Sequence, residues 1–168
     1  MSILKWLGLE PRRDSAPEGL DAVAHALEEL GPERARFVAA FALTLSRVAF
    51  ADLKLSDDEL RQIERLLTTI ADLPKAQAAL VTRIAANQSR LFGATHHFLA
   101  ARELRDSASP AAKRGLLQLL FAVSASDLSI SVPEEEEIRR VASEIGLSHE
   151  EYVAIRADWR DKREVLKH

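Results

Sequence analysis

The chain has no cysteine, which excludes disulfides, thiol catalysis and thiolate metal sites and fits a reducing, cytoplasmic compartment. Its six glycines are too few and too scattered for a phosphate-cradling loop, and no GxSxG is present. The histidines, His25, His96, His97, His149 and His168, form neither an HExxH nor an i, i+4 pair, so no zinc site is written locally. No nucleophile–base set appears either, and neither catalytic residues nor an enzymatic activity are expected. There is no basic face: the net charge is −3, the pI is about 6.0, and cations alternate with acids, as in RQIERL and RDKREVLK. Nucleic acid is therefore not an expected partner. Long apolar runs are missing too. The longest, Phe37 to Ala51, is interrupted by Thr44, Ser46 and Arg47, whereas a spanning helix needs roughly 20 apolar residues. The N-terminal MSILKWLGLEPRR is too short in its apolar part for a secretory signal. Strand-like alternation never persists.

What is present is helix. Ala, Leu, Glu and Arg dominate, and 168 residues with 47% hydrophobic content suffice for one domain with a substantial core. Gly31-Pro32 ends a first helix from about Leu20 and starts a second, to about Asp52, that is apolar nearly all round. Leu60, Ile63, Leu66, Leu67 and Ile70 mark a one-sided helix; Pro74 opens another through Leu80, Ile84 and Leu91, which Gly93 breaks. A polar helix follows to about Arg105. Ser109 caps and Pro110 begins a second strongly apolar helix, to about Ser126. Ile138, Val141, Ala142 and Ile145 define the next helix, closed by Gly146, and a last one carries Tyr152, Ile155 and Trp159. The expectation is an all-α bundle of seven to eight short helices.

The chain repeats itself. Shifted by 75 residues, Arg47–Ile70 aligns with Ala122–Ile145, and eight of the 24 positions are identical, against about two at ordinary residue frequencies. The matches include Asp52/Asp127, Leu53/Leu128, Ser56/Ser131, Glu59/Glu134 and Ile63/Ile138. A duplicated half-domain follows, with pseudo-repeats of about 33–92 and 110–166 inside a domain of 18–168.

Each copy carries an acidic turn. Neither is an EF-hand: counting from Asp52 the loop offers Lys54, Ser56, Asp57 and Ile63, and from Asp127 it offers Ser129, Ser131, Val132 and Ile138. Both fit a capping box instead, SDDE (56–59) and SVPE (131–134), as does SHEE (148–151). The Asp preceding each box stands near an unfavourable helix C-terminus, which amides of the turn or a cation can offset. Two roles stay open, capping alone, or capping with a loose divalent-cation site in which the first turn is the stronger. The run Glu134–Glu137 is a solvated helix start or a patch for a basic partner.

The paired turns, ADLKLSDDELRQI (51–63) and SDLSISVPEEEEI (126–138), resemble the tellurite-resistance protein B (TerB)-like family, and IGLSHEEYVAI (145–155) is similar to the family's final Gly-Leu-Ser turn and helix. The likeness covers about Arg34 to Arg160. It implies a duplicated all-helical bundle from bacterial cytoplasmic proteins of tellurite and other stress resistance, without an established enzymatic activity. It also implies Asp52, Glu59, Asp127 and Glu134 as candidate metal ligands, with Asp57, Asp58, Glu135 and Glu136 in an acidic patch. Cofactors are expected to be none, apart from weakly bound Ca or Mg. The sequence departs from the family where Leu53 and Leu128 replace a Gly, and where Ser126 replaces an Ala. A Leu tolerates positive φ badly, which weakens a cation site.

Residues 1–17 are a separate amphipathic segment and linker. Ile3, Leu4, Trp6, Leu7 and Leu9 beside Lys5 can dock on the bundle, on a partner, or peripherally on a membrane through residues 3–9. The functional expectation is a TerB-like module acting through an unidentified protein partner or weak cation binding. The alternative is a co-chaperone-like scaffold docking through this N-terminal segment.

Overall fold

Residues 37–46 and 115–125 carry no charge, and each stretch falls within a single helix of the computed structural model, which describes residues 20–49, 56–86, 95–125 and 129–162. Among the described residues there are eight α-helices. They are α1 (Leu20–Glu29), α2 (Pro32–Ala49), α3 (Asp57–Thr69), α4 (Lys75–Ala86), α5 (Thr95–Ser107), α6 (Pro110–Ala125), α7 (Val132–Glu144) and α8 (His149–Ala157), with a 3-10 turn at Arg160–Lys162. The chain is an all-α bundle.

A helix without a polar face must be covered on every side. Val38 through Ser46 are all buried, and α2 is surrounded by α1, α4, α5, α6 and α7. On α6, Leu116, Leu117 and Leu119 through Ser124 are buried, and α2, α3, α7 and α8 pack around it. The packing is crosswise: α3 leans on α6, and α7 leans on α2. Two hydroxyls of α2 inside this core are satisfied locally, Thr44 Oγ1 donating to the Ala40 carbonyl at 2.9 Å and Ser46 Oγ to that of Leu43 at 2.6 Å. Phe121 is fully buried and stacks on Tyr152 and Trp159, at 6.3 and 6.4 Å between ring centroids.

The breaks fall where the sequence places them. Gly31 has φ +81°, a left-handed residue just past α1, and Pro32 opens α2. Gly146, at φ +88°, follows the α7 cap, and the Leu147 N–H reaches back to the Ala142 carbonyl at 2.9 Å, the six-to-one bond of a Schellman motif. Ser109 Oγ accepts from the Ala112 N–H at 3.1 Å, capping α6 ahead of Pro110.

One helix is shorter than its periodicity suggests. Trp159 lies beyond α8, because the N–H groups of Asp158 and Trp159 bond three residues back, to Ile155 and Arg156, and tighten the chain out of the α-helix. Gln118 of α6 holds both residues there, accepting from Trp159 Nε1 at 2.9 Å and donating to Asp158 Oδ2 at 3.0 Å.

Candidate functional site

The acidic turns resolve into matched helix starts. Ser56, Ser131 and Ser148 share an extended conformation, with φ of −69°, −68° and −69°. Each hydroxyl accepts from the N–H of the Glu three residues on, at 3.3, 3.3 and 3.1 Å. Each Glu carboxylate accepts in return from the N–H of its Ser, at 2.6, 2.8 and 2.8 Å for Glu59, Glu134 and Glu151. These are three complete capping boxes. The Ser56 backbone N–H, then its side chain, holds the Glu59 carboxyl below the usual carboxylate range, and Ser148 does the same for Glu151.

One oxygen of Glu59 and of Glu134 is thereby engaged in capping. Their expected co-ligands Asp52 and Asp127 lie outside the described residues, as do Leu53, Leu128, Ser126, Leu91, Gly93 and the N-terminal segment. Among the described residues no three of His, Asp and Glu gather into a metal-holding group. The candidate acidic patch divides. Asp57 is exposed, and Asp58 is exposed and pairs with Arg61 at 3.0 Å; Glu136 approaches Arg139 at 3.5 Å, and Glu135, largely buried, approaches Arg156 at 3.7 Å.

Glu137 ends the four-acid run differently: it turns inward. Arg47, the one charge within the apolar stretch of α2, extends from the core with its side chain only 11% exposed. Its Nε and Nη2 donate to Glu137 Oε1 at 3.0 and 2.7 Å, and its Nη1 donates to Glu144 Oε2 at 2.5 Å. Burial alone would pull the guanidinium pKa down, but the two glutamates outweigh it and the pKa is raised. Glu137 and Glu144 are seven residues apart, two turns on one face of α7, so a single arginine bridges both.

This clamp forms the floor and one wall of a cleft of about 1080 Å³. The other wall is α5, contributing His97, Phe98, Ala101, Arg102, Arg105 and Asp106. Phe98 is 69% exposed and Leu99 beside it 36%, two of the three large exposed apolar side chains among the described residues. His97 lines the cleft together with Glu137 and Glu144. Arg47, Glu144 and the α5 residues were not anticipated. The one available signal was a lone charge inside an otherwise apolar helix, since such a charge requires a partner.

With this geometry in place, residues 38–157 match the family model described as tellurite resistance protein TerB. The chain belongs to the TerB family. The match spans all three capping boxes and every residue named above as lining the cleft, and leaves α1 and the N-terminal segment outside it. Among curated proteins and among solved structures, none matches the chain. No helix of this TerB-family protein, among the described residues, is long and apolar enough to cross a membrane.

Proposed function

We propose that this TerB-family chain is a non-catalytic interaction module of a bacterial, cytoplasmic stress response, tellurite stress included, and that it grips a partner protein in the α5–α7 cleft. The observation that carries this reading is Phe98, an exposed ring on the lip of a large cleft whose floor is braced by the Arg47 clamp. Covering such a ring is worth about 1.5–3 kcal/mol, and a rigid concave wall beside it is where an anchoring side chain binds well. Cation binding stands second, because the two acids it needs from the described residues already serve as helix caps.

The test is photo-crosslinking in cells. A photoreactive residue replacing Leu99 should give a discrete protein adduct, whereas one replacing the exposed Lys75 on α4 should not. Equal adducts from both positions, or none from Leu99, overturn the reading.

A further inference from the structure

The cleft has a chemical direction. Phe98, Ala101, Arg102 and Arg105 stand at i, i+3, i+4 and i+7 on α5, one stripe that begins apolar and ends cationic. The opposite wall does not neutralise that end. Glu137 and Glu144 are turned onto Arg47, and Glu137 also accepts from Arg140 at 2.9 Å. Among the described residues Arg105 pairs with no carboxylate, and Arg102 has only an exposed contact to Asp106 at 3.9 Å. Lys113 adds a further cation behind them, its Nζ donating to the Arg105 carbonyl at 2.9 Å. Glu137 and Glu144 are thus consumed inside the fold, and Asp106, exposed on α5, reaches Arg102 only at 3.9 Å, so the arginines of α5 still lack a full complement.

We infer that the cleft takes an acidic amphipathic helix of a partner protein. Its apolar residues lie on Phe98 and Ala101, and its carboxylates meet Arg102 and Arg105. The length agrees: Phe98 to Arg105 spans about 10 Å at 1.5 Å per residue, two helical turns, the reach of an i, i+3, i+4, i+7 anchor set. This inference rests on the interaction reading above and adds the charge of the partner to it.

The experiment titrates two synthetic amphipathic peptides into the isotope-labelled full chain. They share one apolar pattern, and one carries Glu, the other Lys, at the flanking positions. The acidic peptide should shift the amides of Phe98, Ala101, Arg102 and Arg105 and bind about tenfold more tightly than the Lys peptide, the sum of two exposed ion pairs. Both arginines are exposed, so the R102E/R105E double variant should fold normally and invert the preference. Equal or tighter binding of the Lys peptide overturns the inference, as does the absence of any shift in the cleft. Binding of vesicles rich in anionic lipid through these residues, without binding of the acidic peptide, overturns it as well. A cleft-specific photo-crosslink to a basic partner would leave the interaction module standing and remove only the acidic ligand.

Discussion

Replacing Arg47 with Met keeps much of the stem that packs against the core and deletes the guanidinium. Three hydrogen bonds to Glu137 and Glu144 vanish, and the two carboxylates, about a quarter and a little over a third exposed, then face an apolar side chain. A broken pair costs about 3–5 kcal/mol when fully buried, and an exposed one about 0–1 kcal/mol. Arg47 is close to the buried limit, but its partners retain some water and Glu137 keeps Arg140. The expected loss is roughly 2–3 kcal/mol, a fall in Tm of about 4–12 °C for a chain of this size. Thermal melts at neutral pH measure it, and the triple variant R47M/E137Q/E144Q, which removes the stranded charges as well, should recover most of the loss. A melting point for R47M within about 1 °C of the parent, or no recovery in the triple variant, would refute the clamp as a structural brace.

Glu59 and Glu151 titrate below the usual carboxylate range in the folded chain, so the stability they contribute is complete above the unfolded pKa of about 4.3 and is lost as pH falls through the folded values. E59Q/E151Q should consequently flatten the acid limb of the stability curve, as read by melts at successive pH values. Ser131→Ala should cost about 1 kcal/mol by removing the α7 cap, measurable by urea denaturation. Two glycines should respond with opposite signs. A Cβ on Gly115 in α6 meets the Ala71 Cα at 3.5 Å, an ordinary contact, so G115A should stabilise by about 0.5–1 kcal/mol. G146A forces a side chain into φ +88° and should destabilise by about 1–2 kcal/mol. Phe121→Ala should cost about 4 kcal/mol, through a cavity beneath Tyr152 and Trp159.

Local chemistry was legible in the residues themselves. A Ser three places before a Glu, a Gly just past an apolar repeat and a Pro at a helix start act on backbone groups within a few residues, so composition and spacing fix them. The capping boxes at Ser56, Ser131 and Ser148, the stops at Gly31 and Gly146 and the start at Pro110 follow from that range alone. The two uncharged stretches likewise had to become the buried centre, since only burial on all sides accommodates a helix with no polar face. The end of α8 was not legible, because Gln118, some 40 residues earlier, holds Trp159 outside the helix.

The cleft belongs wholly to the tertiary structure. Arg47 stands 90 residues from Glu137 in the chain, and Phe98 belongs to a helix whose pattern reads simply as polar. Which carboxylates are spent inside the fold, and which arginines are left facing outward, depends on how α5 and α7 are laid across the end of α2. Charge pairing at that range is set by where helices cross, and linear spacing does not encode it.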